Sequence, residues 1–173
     1  MTLEFLAALV AAFAGAGIAM TLRWLSGGRL PRWIVPAAAG LGMIGLTIWS
    51  EYAWEARARA GLPPGFVVAE APREAMPLRP WTYLAPLATR MLVVDLTATR
   101  RHPAATDLAM TRVVAMGRWR PNADRLVVLD CAQGLRVTVT EGVEFSDAGV
   151  MTGGAWSPVA ADDPVLRTAC DGG

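Results

Sequence analysis

With 173 residues the chain has room for one modest domain plus a membrane segment, and a 54% hydrophobic content with a mean hydropathy of +0.36 is high for a wholly water-soluble protein. A formal net charge of +1 and a pI near 7.8 leave no broad positive field for a polyanion, so nucleic acid is not an expected partner. All 16 basic residues are arginine, and they are scattered, which is what a GC-rich coding sequence yields rather than a clustered anion site.

Leu3 to Leu22 is apolar apart from Glu4 near its start and Thr21 near its end. Its length, about 20 residues, is what a helix needs to cross a hydrocarbon core. The competing reading, a cleavable signal peptide, requires a positively charged N-terminal region, and the chain opens Met-Thr-Leu-Glu. A second apolar run, Trp33 to Ser50, tolerates Pro36 in its first turn. Trp33, Trp49, Tyr52 and Trp54 sit at its ends as membrane-interface anchors, giving spans of about 3–22 and 33–52.

The connection from Arg23 to Arg32 carries Arg23, Arg29 and Arg32 and no acid, and short basic loops stay in the cytoplasm. Glu51 to Arg59 mixes Glu51 and Glu55 with Arg57 and Arg59, and the N-terminal side offers no basic side chain. The expectation is a multi-pass protein of a bacterial inner membrane with both termini periplasmic and the lipid bilayer as a partner. Ala11, Gly15 and Ala19 recur at four-residue spacing, as do Ala38 and Gly42. Such faces suit either assembly into a larger complex or packing of the two helices on each other. Neither span is expected to bury an ionisable residue, which argues against an ion pathway.

From Gly61 to Pro80 the chain holds Pro63, Pro64, Pro72, Pro77 and Pro80, which reads as an extended spacer. The domain layout expected is 1–55 helical hairpin, 56–80 linker and 81–173 periplasmic domain. Trp81 to Asp95 is interrupted by Pro86, Arg90 and Asp95 too often for a third span and reads as a membrane-surface or packed segment leading into a strand. Strand signals follow at Met91 to Thr97, at Thr111 to Trp119 with Val113, Ala115 and Trp119 against Arg112, Met116 and Arg118, and at Leu126 to Cys131. After Ala132-Gln133-Gly134, Leu135, Val137 and Val139 face a core while Arg136, Thr138 and Thr140 face water. Val143 to Phe145 and the stretch around Val150 and Met151 add a hairpin turning at Asp147 to Gly149, and an antiparallel meander is the default topology. Asp162 and Asp163 offer an N-cap and Pro164 a first turn for a closing helix that lays Val165, Leu166, Ala169 and Cys170 on the sheet. The fold class is therefore an α+β membrane protein: an N-terminal two-helix transmembrane hairpin plus a small C-terminal antiparallel β-sheet domain with a terminal helix.

Cys131 and Cys170 are the two cysteines. In an oxidising compartment an even count reads as one disulfide, here pinning helix to sheet and contributing roughly 3 to 4 kcal/mol by loop entropy. Two free buried thiols are the alternative, since sequence alone supplies no Cα separation. The order Leu129-Asp130-Cys131, Arg136, Gly149, Trp156-Ser157-Pro158-Val159, Leu166 and Cys170 resembles the C-terminal half of the surface-adhesin protein E family. Small periplasmic or surface domains of that family carry an aspartate-cysteine, basic strand, tryptophan-proline, terminal cysteine pattern. The resemblance spans about Val93 to Asp171 through spaced single residues, and implies an antiparallel sheet with a flanking helix and a cysteine pair. It does not carry adhesion over, because an inner-membrane hairpin is foreign to an outer-surface adhesin. The first 80 residues are similar to uncharacterised membrane proteins of alphaproteobacteria.

No catalytic constellation stands out. His102, the single histidine, lies between Arg100-Arg101 and Pro103 in a loop context, and no phosphate loop, zinc helix motif or Cys-x-x-Cys is present. Asp95, Asp130 and the Asp162-Asp163 pair are read as structural carboxylates. Trp81, Trp119 and Trp156 are read as packing residues, with Arg118, Trp119, Arg120 and Pro121 forming the contact patch should a tryptophan prove exposed. No cofactor is expected. The leading functional reading is a noncatalytic, membrane-tethered, disulfide-locked domain that binds a protein partner, as an interaction module or an accessory subunit of a membrane complex. An envelope ligand or stress sensor is the alternative, and an unidentified enzyme the third.

Overall fold

The computed structural model describes residues 2–140, 143–147 and 150–172, and the chain divides into two compact units, Met1–Ala56 and Arg57–Gly173. The first unit is built on α1 (Thr2–Leu25) and α2 (Ile34–Ala60). Both are long and apolar enough to cross a membrane, and little of either apolar stretch is buried within the protein. Phe5, Phe13, Ile18, Leu41 and Ile44 are all exposed. A soluble protein's core helix buries such side chains; these helices leave them on the surface.

The small-residue faces meet each other. A Cβ built on Gly42 would lie 2.6 Å from the Ala11 carbonyl oxygen, and one on Gly15 would collide with the carbonyl of Ala38. The four-residue spacing therefore lets the two backbones of the hairpin approach closely. In the connecting residues 26–33, Gly27 and Gly28 are both left-handed, and the Gly28 N–H returns to the Arg23 carbonyl at 3.0 Å to close α1.

Two features of α2 depart from the sequence reading. The helix continues past residue 52 to Ala60, because Glu51, Ala53, Glu55, Ala56, Arg57, Ala58 and Arg59 are good helix formers outside the apolar run. Glu51 is only 4% exposed, whereas no buried ionisable group was expected in the spans.

The second unit contains β1 (Phe66–Glu70), β2 (Arg73–Glu74), a 3-10 turn at Pro80–Tyr83, β3 (Leu87–Ala88), β4 (Arg90–Arg101), β5 (Leu108–Gly117), β6 (Arg120–Asp130), β7 (Leu135–Thr138), β8 (Glu144–Phe145), β9 (Met151–Thr152), β10 (Ser157–Pro158) and α3 (Pro164–Asp171). Six strands form one antiparallel sheet in the order β1-β4-β5-β6-β7-β10, whose centre β4 to β7 is a meander. β2 pairs with β3, and β8 with β9 through Glu144↔Thr152 and Phe145↔Met151. Of the turn expected at Asp147 to Gly149, residues 148 and 149 lie outside the described residues.

The expected 56–80 spacer is largely domain. Residues 57–60 finish α2, and Phe66 to Glu70 pair with β4 from Phe66↔Asp95 to Glu70↔Leu92, leaving residues 61–65 between helix and sheet. The prolines flank this strand without entering it, and Gly65 at φ +86 turns the chain into it beneath Thr97.

The core follows from strand alternation. Val94, Val127 and Leu129 share one face, on which α3 sets Val165, Leu166 and Ala169. A smaller cluster of Leu108, Val128 and Val137 sits with Val139 and Trp156 packed against it. β4 is buried on both faces at Met91, Val93 and Val94, which places it centrally in the domain.

Candidate functional site

Cys131 and Cys170 are joined in a disulfide, with Cα atoms 5.9 Å apart across a separation of 39 residues. β6 delivers Cys131 just past its end. There the Asp130 carboxylate accepts from the Ala132 and Gln133 N–H groups at 3.0 and 2.9 Å, and Gly134 at φ +64 returns its N–H to the Asp130 carbonyl. α3 delivers Cys170. Its N-cap is Asp163, whose carboxylate accepts from the Val165 and Leu166 N–H groups at 3.0 and 2.9 Å; Asp162 does not share the role. The cysteine pair therefore ties the terminal helix to the far end of the sheet's second long hairpin.

Asp95 is buried in β4, where the register slips between Asp95 and Arg100. Its carboxylate accepts from the Thr97 N–H at 3.0 Å, the Thr97 hydroxyl at 2.6 Å and the Ala98 N–H at 3.2 Å. This carboxylate holds a bulge. His102 lies in the β4–β5 connection, its Nδ1 accepting from the Ala104 N–H at 3.3 Å. Among the described residues, no three His, Cys, Asp or Glu side chains gather as a metal-binding group.

Arg118 and Trp119 are not strand residues as expected but the two central residues of the tight β5–β6 turn closed by Gly117↔Arg120. The turn uses no left-handed residue, and the register shifts immediately afterwards, the bulge that such a turn needs to rejoin twisted strands. The Arg118 guanidinium lies over the Trp119 ring, 4.7 Å from its centroid, and the Arg118 N–H donates to Thr89 at 2.9 Å. Trp119 is 51% exposed, so it is presented rather than packed. Beside it a cleft of about 740 Å3 is lined by Arg79, Arg90, Met116, Trp119, Arg120 and Pro121, among others. Arg90 pairs with Glu74 at 2.7 Å on its surface. Trp156 packs on the smaller core cluster, while Trp81 stays partly exposed.

Among the anchors, Trp33 and Trp49 are exposed and Tyr52 and Trp54 partly buried; Arg23 closes α1, and Arg29 and Arg32 lie in the connection after it. Trp24, also exposed, extends this set. Leu78, Tyr83 and Leu84 stand out around the Pro80–Tyr83 turn; Tyr83 and Leu84 belong to the stretch read from the sequence as a membrane-surface or packed segment, and Leu78 lies just before it. Comparison of the chain with protein-family models, with curated proteins and with solved structures returns no match in any of the three.

Proposed function

We propose that this protein is a noncatalytic membrane-anchored binding module: α1 and α2 cross the bacterial inner membrane as a hairpin, and the sheet domain engages a protein partner in the periplasm, the chain serving as an accessory subunit of a membrane complex. The observation that carries this reading is the conjunction of two span-length helices with exposed apolar surfaces and a separate domain whose terminal helix is bonded to its sheet by Cys131–Cys170. A disulfide of this kind persists in an oxidising space. The basic residues Arg23, Arg29 and Arg32 at the hairpin turn favour its placement in the cytoplasm, which puts both termini outside. The contact surface is the Arg118-Trp119-Arg120 tip, since a half-exposed tryptophan under a guanidinium is the composition of interface hot spots.

Cross-linking in intact cells followed by affinity purification in mild detergent tests the proposal. A discrete partner is expected with the native chain and is lost with Trp119→Ala, while the variant remains in the membrane fraction. Recovery of the native protein as a lone monomer under several mild conditions, or a C-terminal reporter active only in the cytosol, is the opposing result.

A further inference from the structure

The segment between β2 and β3 carries the most exposed large apolar side chains of the sheet domain among the described residues. Leu78 is 94% exposed, Leu84 92% and Tyr83 63%, with Trp81 at 37%. They are not on a loose loop. Thr82, fully buried in their midst, accepts the Met76 N–H at 2.7 Å and donates to the Arg79 carbonyl at 2.7 Å, while Arg79 bridges back to Met76. A buried polar staple thus fixes a turn whose outward face is leucine, tyrosine and tryptophan. Holding isolated leucines in water on a rigid turn has no folding benefit, so their surface is available for burial elsewhere.

We propose that this turn, Leu78 to Leu84, is a lipid-docking element that dips into the interfacial layer of the same bilayer the two helices cross, the reading of α1 and α2 as membrane spans being the one on which it rests. Three facts select lipid as the occupant. Trp and Tyr beside Leu is the composition that sits at headgroup level, where rings bury their apolar bodies and keep the polar atoms wet. Only residues 61–65 separate α2 from β1, at most about 18 Å of chain. Residues 53–60 carry α2 about 12 Å past the expected span, and a domain of this size has a radius of gyration of about 13 Å, so the tether keeps the domain within reach of the bilayer surface and leaves a choice of which face turns to it. The exposed apolar turn makes that choice.

The native cysteines are bonded to each other, so a single introduced cysteine takes a thiol-reactive fluorophore selectively. The full chain is reconstituted in nanodiscs of phosphatidylcholine and phosphatidylglycerol with an NBD label at Leu84→Cys, at Asn122→Cys on exposed β6, or at Phe13→Cys in α1. The Leu84 label is expected to emit to the blue of the Asn122 label and to be quenched by lipids carrying a doxyl group near the headgroup; a second label at Leu78→Cys behaves likewise. A Leu84 label matching Asn122 in emission and quenching, while the Phe13 label is quenched by deep doxyl lipids, overturns the docking proposal and leaves the anchor intact. An unquenched Phe13 label overturns the anchor itself, and the docking proposal with it.

Discussion

The Arg101 guanidinium donates a 2.7 Å hydrogen bond to the carbonyl oxygen of Cys170, so the end of β4 holds the last turn of α3. The same side chain reaches the Thr106 carbonyl at 3.3 Å. A cation at the C-terminus of a helix meets both an orphan carbonyl and the negative end of the dipole. Arg101 is exposed, so solvent discounts the gain, and Arg101→Ala is expected to lower stability by about 1 kcal/mol or less. A denaturant series in mild detergent reads this as a small fall in midpoint at unchanged slope.

The disulfide acts on the same helix with a larger effect. Closing 39 residues of chain constrains the unfolded state by roughly 3 to 4 kcal/mol before strain, and α3 has just eight residues, too few to be helical alone. Replacing both cysteines by serine should therefore release α3 first. Hydrogen exchange across 164–171 is expected to accelerate well before β4 and β5 lose protection, and reductant should reproduce the effect in the native chain. Uniform loss of protection across the sheet would instead mean that helix and sheet open together.

These contacts explain which parts of the fold were legible in the sequence. The two long apolar helices, the alternation of Leu135 to Val139 and the capped terminal helix each write one strong local pattern, and the cysteine pair was legible from its even count. β1 was hidden because Pro63, Pro64 and Pro72 bracket a strand of five residues, and composition averaged over the region reported the prolines. The first half of β6, Arg120 to Leu126, is exposed throughout and has no apolar face to alternate, so nothing announced it as strand. Arg118 and Trp119 carry no glycine or asparagine turn signal, and their place at a hairpin tip depends on the register of β5 against β6. The patch was named from its residues; its geometry belongs to the sheet.

Gly42 and Gly45 separate packing from helix propensity. Added methyls differ in surroundings: at Gly42 the Cβ lies 2.6 Å from the Ala11 carbonyl oxygen, while at Gly45 nothing lies within 4 Å. Gly42→Ala is expected to push the helices apart at a cost of about 1–3 kcal/mol, the range of overpacking. Gly45→Ala should be neutral or stabilising, since alanine is the better helix former. Exchange of α1 and α2 amides, followed in nanodiscs, should rise in the first variant only.

Asp95 tests the bulge in β4. Asp95 itself is buried while Thr97 is exposed and Ala98 half-buried, so Asp95→Ala removes the acceptor shared by three donors that water reaches only in part. The expected loss is about 1–2 kcal/mol, with Asp95→Asn intermediate because the amide oxygen retains part of the pattern. Thermal unfolding followed by the near-ultraviolet signal of the tryptophans should rank the native chain above Asn and Asn above Ala.

Thr82 is the staple of the apolar turn, and its removal separates folding of the domain from order in that segment. Valine keeps the volume of threonine but leaves the Met76 N–H and the Arg79 carbonyl without their 2.7 Å partner. A buried donor left unsatisfied costs about 1–3 kcal/mol. The segment crosses only from β2 to β3, so the cost falls on local opening rather than on the six-stranded sheet. Exchange of the Arg79 and Thr82 amides, which donate to Met76 and Arg79 at 2.9 Å, should accelerate roughly tenfold to a hundredfold in Thr82→Val, with β5 and β6 unchanged. Thr82→Ser preserves the hydroxyl and should keep the native rates. Acceleration in the serine variant with native rates in the valine variant would show that the methyl group, not the hydrogen-bonded oxygen, holds the turn.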